Sequence, residues 1–162
     1  MRSTQKLLRE LSYYKTGGLC RLFYEPASEE ELVEAVLEIR ELGLDFFVLG
    51  AGSNSLVMDE YWDGAVISFN GLNTLSVDGH LLWLGAGVDN SKAALFAQER
   101  SLKNIEWMYG LPGQLGGSVR MNARCYGGEV GSYVDTVRAV DLNGQRHVFK
   151  NCYRDKKVFR GY

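Results

Sequence analysis

Residues 111–123, LPGQLGGSVRMNA, and residues 50–59, GAGSNSLVMD, carry the strongest structural signal in this chain. The first stretch has three glycines and a proline within seven residues, so its backbone can come close to a ligand where side chains would block the approach. The second follows directly on the apolar run 46–49, and its small residues offer amides and hydroxyls that suit an anion such as a pyrophosphate. Two such loops in one small domain predict a single long, phosphorylated cofactor that spans both.

The length and composition are those of a compact globular protein. At 162 residues the chain can form one ordinary domain or two small subdomains, and it should bury about 70% of its unfolded surface. Its net charge of −2 gives no electrostatic footprint for nucleic acid or an anionic membrane. The sequence shows no secretory signal and no apolar run near the roughly 18 residues of a membrane span. We predict a cytoplasmic protein without nucleic acid or membrane as a partner, and the sequence predicts no oligomeric state.

The cysteines and histidines predict neither a metal site nor a disulfide framework. Cys20, Cys125 and Cys152 are odd in number and form no CxxC pair, so we expect reduced thiols. His80 lies in a predicted turn and His147 in a short alternating segment, where a surface or strand position is the simpler interpretation. No histidine-based catalysis is therefore predicted.

The pattern before the first glycine loop predicts a helix and then a strand. Ser28 and Glu31 form a capping box ahead of a helix that ends near Gly43. The apolar face of this helix comprises Leu32, Val33, Ala35, Val36, Ile39 and Leu42. A strand at 46–49 follows and completes half of an α/β unit. The GAGSN loop is thus predicted at the carboxyl end of a strand, where open α/β sheets usually bind ligands.

Short strands and a second helix follow the first loop. The predicted strands, separated by Asn-Gly and Asp-Gly turns, are residues 65–69, 75–77, 81–85, 134–141 and 146–149. Asn143-Gly144 is a strong hairpin signal between the last two. Asn90 is predicted to cap a helix that runs to about Arg100. The boundary between two subdomains is predicted near Gly71.

Two better-known phosphate-binding patterns do not fit. Gly50-Ala51-Gly52 and Gly85-Ala86-Gly87 begin like a dinucleotide fingerprint, but the third glycine is absent and no ribose-binding acid follows at the expected βαβ spacing. The sequence has no GxxxxGK(S/T) motif, so nothing in it predicts hydrolysis of a nucleoside triphosphate. The predicted phosphate must be bound in another way.

The order of the motifs resembles that of one enzyme family. GAGSNSLVMD at 50–59, GAGV at 85–88, GLPGQLGGSVRMNARCYGGE at 110–129 and Tyr153-Arg154-Asp155 look like the flavin-binding part of UDP-N-acetylenolpyruvoylglucosamine reductase, also called UDP-N-acetylmuramate dehydrogenase. The likeness covers nearly the whole chain from Thr16-Gly17-Gly18 onward. The PGxxGGxxxMNA run is very specific, whereas the wider family of FAD-linked oxidases has loops similar to GAGSN.

The resemblance implies a fold and a cofactor site. It predicts an α+β FAD-binding domain of the FAD-linked oxidase, PCMH-like type, with two α/β subdomains at 1–70 and 71–162 and without the family's C-terminal substrate-binding domain. FAD is expected to bind non-covalently, with its pyrophosphate at 50–55 and its flavin near 110–123. The implied cofactor-binding residues are Gly50, Ala51, Gly52, Ser53, Asn54, Ser55, Gly110, Leu111, Pro112, Gly113, Gly116, Gly117, Asn122 and Ala123.

The resemblance also implies a reaction. In the family, NADPH reduces FAD, and the flavin passes hydride to the enolpyruvyl double bond of a UDP-linked amino sugar, making UDP-N-acetylmuramate for peptidoglycan. Arg154 matches the arginine that faces the enolpyruvyl carboxylate, which implies a catalytic role for it. The serine that protonates the substrate and an assisting glutamate belong to the missing domain. This chain alone is therefore expected to be inactive.

Departures from the family pattern leave alternatives open. Arg124 and Cys125 stand where a small residue and alanine are usual, and a long cation at 124 could crowd the flavin or reach a phosphate. After Tyr153-Arg154-Asp155 the usual serine is absent, and the chain stops where the substrate domain would begin. We expect a fragment of the reductase. The alternatives are a stand-alone, non-catalytic flavin-binding module and a small FAD-linked oxidase subunit.

Overall fold

The largest unit of the fold is a four-stranded sheet. The computed structural model describes residues 2–150, and the strands of this sheet are β1 (Arg2–Leu7), β2 (Leu19–Tyr24), β3 (Phe46–Leu49) and β4 (Trp62–Ser68). They lie in the order β1-β2-β4-β3. β4 runs parallel to β2 and β3, whereas β1 is antiparallel to β2. The carboxyl ends of three strands therefore meet at one edge of the sheet.

The first helix, α1 (Glu29–Glu41), begins and ends where the sequence predicts. The Glu31 N–H donates to Ser28 Oγ at 3.2 Å, which caps the first turn. The Glu31 carboxylate accepts from the Ala27 N–H at 2.9 Å, one residue before the position that a capping box implies. This hydrogen bond holds the pKa of Glu31 below its ordinary value. Gly43 follows the helix with a φ of 63°, a conformation that glycine adopts at low cost.

β4 separates two hydrophobic cores. Ala65 and Ile67 pack on the side of α1, in a core completed by Leu22, Tyr24, Ala35, Val36 and Ile39. Val66 lies on the opposite side, in a core completed by Leu8, Cys20, Phe23 and Leu49. Because successive side chains of a strand point to opposite faces, β4 is buried on both sides, as central parallel strands usually are.

Hairpins and two helices make up the remaining described residues. They are β5 (Leu75–Asp78), β6 (Leu81–Leu84), α2 (Asn90–Gln98), α3 (Leu115–Met121), β7 (Arg124–Cys125), β8 (Gly128–Glu129), β9 (Thr136–Val140) and β10 (Arg146–Lys150). The strands form three antiparallel hairpins, β5–β6, β7–β8 and β9–β10. Short 3-10 helices occupy Leu8–Glu10, Glu106–Met108 and Val130–Ser132. The predicted hairpins β5–β6 and β9–β10 are confirmed.

Some predicted boundaries are wrong. Asp89 caps α2, since its Oδ1 accepts from the Lys92 N–H at 3.0 Å, and Asn90 is the first helical residue. Aspartate and asparagine cap helices about equally well. Because Asp89 and Asn90 are adjacent, the sequence does not show which of them caps α2. The strand predicted at 65–69 begins earlier, at Trp62. The local sequence pattern predicts none of β1, β2 and α3, and the two glycines within α3 lower its propensity for a helix.

The β9–β10 hairpin packs on α1. The Arg138 guanidinium donates to the Glu29 carboxylate at 3.1 Å, and Arg146 donates to the same carboxylate. A Cβ at Gly144 would lie 3.1 Å from both Val33 and Leu37, so the hairpin loop approaches the helix closely. The end of the predicted second subdomain thus contacts the first, and the division at residue 70 stays a prediction.

Asp141 organises the loop of this hairpin. Its carboxylate accepts from the N–H groups of Asn143 at 2.8 Å and Gln145 at 2.9 Å, and it pairs with His147 Nε2 at 2.9 Å. The hydrogen bonds from His147 and from the Gln145 N–H hold the pKa of Asp141 below its ordinary value. The loop is therefore built around a carboxylate that favours its charged form.

This carboxylate predicts a pH dependence of stability. A carboxyl group with a lowered folded pKa stabilises the fold above its unfolded pKa, about 3.9, and this contribution is lost as the pH falls through the folded pKa. We expect Asp141→Asn to melt at a lower temperature than the parent at neutral pH, and to lose less stability between about pH 5 and pH 2. Thermal melts across this range check the prediction. An equal fall in melting temperature between pH 5 and pH 2 in the two proteins would contradict it.

Among residues 2–150, no helix combines the length and the apolar character needed to cross a bilayer.

Candidate functional site

The GAGSN loop leaves the sheet at its carboxyl edge. β3 ends at Leu49, which lies in register with Ser68 at the end of the neighbouring parallel strand β4. The loop begins at the next residue, Gly50. The prediction that this loop follows the carboxyl end of a strand is confirmed, and this is the edge where open α/β sheets bind ligands.

The two glycine-rich stretches contact each other. Ser53 Oγ in the first stretch donates to the Pro112 carbonyl in the second at 3.2 Å. A Cβ at Gly113 would lie 3.2 Å from Ser53 Oγ, so the missing side chain permits this approach. The fold thus brings together the two stretches that the sequence analysis assigns to one ligand.

The first stretch presents backbone donors without acceptors. The N–H groups of Ala51, Gly52, Ser53 and Asn54 donate no hydrogen bond to any residue within 2–150. Gly52 is buried, Ala51 and Ser53 are partly buried, and Asn54 is exposed to water. Nearly all buried amides in folded proteins are paired with protein or water, so the unpaired donor of Gly52 requires an explanation. A series of free amides in a turn is an arrangement that binds anions.

Gly52 has a structural role that the sequence does not show. It is buried with a φ of 68°, and a Cβ there would lie 2.8 Å from Ser12 Cα and 3.0 Å from the Tyr13 nitrogen. The loop therefore rests against the backbone of the turn at 12–13. Ser12 is itself buried, and its Oγ donates to the Thr16 carbonyl at 2.6 Å.

The second stretch is supported by the turn at 85–90. The Leu115 N–H donates to the Val88 carbonyl, and the Gly116 N–H donates to the Ala86 carbonyl, both at 2.8 Å. A Cβ at Gly116 would lie 2.9 Å from the Ala86 Cβ, whereas nothing lies within 4 Å of a Cβ at Gly117. Of these two adjacent glycines, one packs against the protein and the other faces open space.

Asn90 is the main residue that the sequence analysis misses in this site. Its N–H donates to the Gly113 carbonyl at 3.1 Å, and its Nδ2 donates to the Leu111 carbonyl at 3.4 Å. Its Oδ1 accepts from Ser118 Oγ at 2.9 Å. A polar residue at the start of a helix is typical of a cap, so the sequence carries no signal for this second role.

A chain of polar side chains joins the second stretch to the sheet edge. Asn70 Nδ2 donates to the Glu25 carboxylate at 3.3 Å, and Gln114 Nε2 donates to Asn70 Oδ1 at 2.6 Å. Because a carboxylate only accepts, it orients both amides and turns Gln114 Oε1 toward Gly50. That oxygen is buried and has no hydrogen-bond partner among residues 2–150, and a Cβ at Gly50 would lie 3.2 Å from it.

The polar groups at the end of the second stretch form hydrogen bonds within the protein. Asn122 ends α3 with a φ of 49°, and its Oδ1 accepts from the Gly131 N–H at 2.8 Å. The Ala123 carbonyl accepts from the Val130 N–H at 3.1 Å. Arg124 Nε lies 2.7 Å from a carboxylate oxygen of Glu129, its partner across β7–β8. The Arg124 side chain is thus paired within its own hairpin.

Other predicted site residues lie at the edge of the candidate site or outside the described residues. Asn54 and Ser55 are exposed, and the Gly110 N–H donates to Ser91 Oγ at 2.9 Å. Arg154 lies outside the described residues, as does Cys152. In the described part of the chain, Cys20 and Cys125 are free thiols, and no three His, Cys, Asp or Glu residues form a group that could hold a metal ion.

These features fit the phosphates of a dinucleotide cofactor. The free amides of residues 51–54 can donate to an anion, and the contact between Ser53 and Pro112 places the second stretch beside them. Gln114 Oε1, which has no donor within residues 2–150, can accept from a hydroxyl or N–H group of such a cofactor but not from its phosphates. The residues present are therefore compatible with FAD.

Comparison with curated proteins finds relatives that are named UDP-N-acetylenolpyruvoylglucosamine reductase. The chain is 37% identical over 147 residues to UDP-N-acetylenolpyruvoylglucosamine reductase of Orientia tsutsugamushi, with 88% of this chain and 48% of the relative aligned. It is 37% identical over 139 residues to the reductase of Clostridium perfringens, with 84% of this chain and 45% of the relative aligned. The chain spans about half the length of these relatives.

Comparison with solved structures agrees with the sequence matches. The UDP-N-acetylenolpyruvylglucosamine reductase of Thermus caldophilus aligns with a TM-score of 0.74 and 29% identity, over 93% of this chain and 53% of that chain. The 6-hydroxy-D-nicotine oxidase of Arthrobacter nicotinovorans aligns with a TM-score of 0.68 and 17% identity, over 83% of this chain and 31% of that chain. The second likeness shows the fold alone.

A family model confirms the α+β fold of the FAD-linked oxidase type. The model described as "FAD binding domain" matches residues 20–150, which include both glycine-rich stretches and Asn90. The chain belongs to the FAD binding domain family, in the form that UDP-N-acetylenolpyruvoylglucosamine reductases contain.

Proposed function

We propose that this chain binds FAD non-covalently at the carboxyl edge of its parallel strands. The observation that carries the proposal is the run of unpaired amides at residues 51–54, in contact with the second stretch through Ser53 and Pro112. We assign the pyrophosphate to 50–55 and the flavin to the neighbourhood of 110–117. For Asn122 and Ala123 we infer van der Waals contact with the cofactor only, because their N–H groups, Asn122 Oδ1 and the Ala123 carbonyl already form hydrogen bonds within the protein.

The proposal extends to the reaction named by the relatives. When bound, FAD supplies hydride transfer, and the protein's part is to hold and orient the reactants. We propose NADPH as the reductant and a UDP-linked enolpyruvyl amino sugar as the substrate of the whole protein, with Arg154 holding the substrate carboxylate through paired hydrogen bonds. The role in peptidoglycan synthesis and the cytoplasmic location belong to the same proposal.

Cofactor uptake tests the binding proposal. We expect the purified chain to bind one FAD, to quench the fluorescence of the cofactor, and to release it on denaturation, because the proposed contacts are hydrogen bonds without a covalent flavin link. Fluorescence titration of FAD-free protein, with its fold verified by circular dichroism, makes the measurement. A folded chain that takes up no FAD would remove the basis of the assignment.

A second experiment tests the reaction. We propose that these 162 residues alone do not complete it, because they span about half the length of the relatives. Positioning of the reactants alone can lower the activation barrier by roughly 7–11 kcal/mol. A site that lacks part of its residues lowers the barrier by less. We expect the enolpyruvyl substrate to reoxidise the reduced, FAD-loaded chain no faster than it reoxidises free FADH₂ in anaerobic stopped-flow mixing. Fast reoxidation that Arg154→Ala abolishes would show a complete site.

A further inference from the structure

Asn90 is a fully buried polar residue whose backbone N–H and side-chain amide all bond to the second glycine stretch. Its exposed fraction is 0%. Its backbone N–H and its Nδ2 donate to the carbonyls of Gly113 and Leu111, while Oδ1 accepts from Ser118 Oγ in α3. Burying an amide side chain is costly unless it is paired, so these bonds hold Asn90 and the stretch in one arrangement.

Three consecutive carbonyls of this stretch are held from two directions. Asn90 binds the first and third, at Leu111 and Gly113, and Ser53 binds the middle one, at Pro112. In a trans peptide the C=O and the following N–H point in opposite directions. Fixing the Pro112 and Gly113 carbonyls therefore fixes the directions of the N–H groups of Gly113 and Gln114.

Those two N–H groups have no acceptor in the described part of the protein. Neither Gly113 nor Gln114 donates a backbone hydrogen bond within residues 2–150. They extend the set of unpaired donors found at 51–54 into the second stretch. The Asn90 backbone N–H holds the Gly113 carbonyl directly, whereas the Asn90 side chain holds the Leu111 carbonyl. The side chain therefore acts on these two donors through the backbone of residues 111–113.

We propose that Asn90 is a positioning residue of the cofactor site: it acts through residues 111–113, orienting the donors of Gly113 and Gln114 toward FAD without touching the ligand. The inference rests on the proposed function. Its physical content is preorganisation, in which a loop already held in its binding conformation loses less conformational freedom when the ligand binds.

Two matched variants separate positioning from stability. In its ionised form, the side chain of Asn90→Asp keeps the shape and an oxygen for Ser118 but has no donor for Leu111. The backbone N–H that binds the Gly113 carbonyl is unchanged. Ser118→Ala breaks the same buried pair from the other side and leaves both Asn90 donors in place. We expect FAD affinity to fall about tenfold or more in Asn90→Asp. We expect Ser118→Ala to melt at a lower temperature yet to bind FAD within about threefold of the parent.

Further arms of the experiment keep the proposal testable. Asn90→Leu repeats the loss of the donor without adding a charge, and it should weaken FAD to a similar extent. In a double-mutant cycle with Ser53→Ala, the losses of FAD affinity should be less than additive, because both residues act on the same three carbonyls. FAD affinity is measured by fluorescence titration of the whole chain, and stability by thermal melts without FAD.

Each outcome has a definite meaning. Affinity losses that simply follow the loss of melting temperature in all variants, additive losses in the cycle, or failure of both Asn90 variants to fold would assign Asn90 to the fold and overturn the proposal. A parent chain that binds FAD while Asn90→Asp binds it equally well overturns this inference and leaves the proposed function intact. A parent chain that takes up no FAD overturns both.

Discussion

Replacing Gly52 with alanine is expected to destabilise the folded chain by roughly 3 kcal/mol and to abolish measurable FAD binding. Two costs combine in this estimate. A φ of 68° is unfavourable for a residue with a Cβ, and the new atom would lie 2.8 Å from Ser12 Cα, which is backbone and cannot turn away. The loop must then shift, and the free amides of 51–54 lose their common arrangement. Chemical denaturation and FAD titration of the same preparation give the two quantities.

Gly79 provides the matched control for this prediction. It has a φ of 57° at the β5–β6 turn, and a Cβ there meets nothing within 4 Å. Gly79→Ala should therefore cost only the backbone term, about 1 kcal/mol, and leave FAD affinity unchanged. Equal destabilisation by the two substitutions would mean that the contact with the 12–13 turn contributes nothing. FAD binding that survives Gly52→Ala would remove the first stretch from the proposed site.

The neighbouring glycines 116 and 117 are expected to respond in opposite ways. Gly116→Ala should destabilise the fold by about 1–3 kcal/mol, since its Cβ would lie 2.9 Å from the Ala86 Cβ. Gly117→Leu should leave the fold intact or slightly more stable, because Gly117 is exposed within α3 and leucine is a far better helix former. The same side chain would project into the space that we assign to the cofactor. FAD affinity should therefore fall on the order of 100-fold.

A leucine at an exposed helical position away from the site controls for nonspecific effects. Glu34 is exposed on α1, and Glu34→Leu should bind FAD as the parent does. Thermal melts and FAD titrations of the three variants form one data set. If Gly117→Leu and Glu34→Leu bind FAD equally well, the open face of α3 does not contact the cofactor, and the flavin must be placed elsewhere.

Local signals were sufficient for the elements whose structure depends on neighbours in sequence. Ser28 and Glu31 mark the start of α1 because the capping groups lie within one helical turn. Asn143-Gly144 marks the β9–β10 loop because a tight turn is a property of a few successive residues. The place of the GAGSN loop followed from the helix-strand order, since that order fixes which end of the strand the loop must leave.

The same local signals failed where long-range packing decides the structure. β1 pairs with β2 across 12 to 22 residues of chain, and β2 pairs with β4 across 42 to 43. No pattern within β1 or β2 specifies its partner. Asp89, not Asn90, caps the first turn of α2. The side chain of Asn90 is buried instead and bonds to Leu111 and Ser118. Helix α3 forms in a glycine-containing run because the turn at 85–90 supports it, which outweighs its weak intrinsic preference for a helix.

By itself, the sequence determined which residues are small enough to form a close-fitting cofactor loop, and that two such stretches belong to one FAD-binding family. Only the tertiary structure decided whether each small residue packs against the protein or leaves room for a ligand. Gly52 and Gly116 are required by the protein atoms beside them, Gly117 faces open space, and Asn90 holds the second stretch from within the core. The physical reason is that a missing side chain permits close approach from any direction. Only the folded chain shows whether another part of the protein already occupies that space.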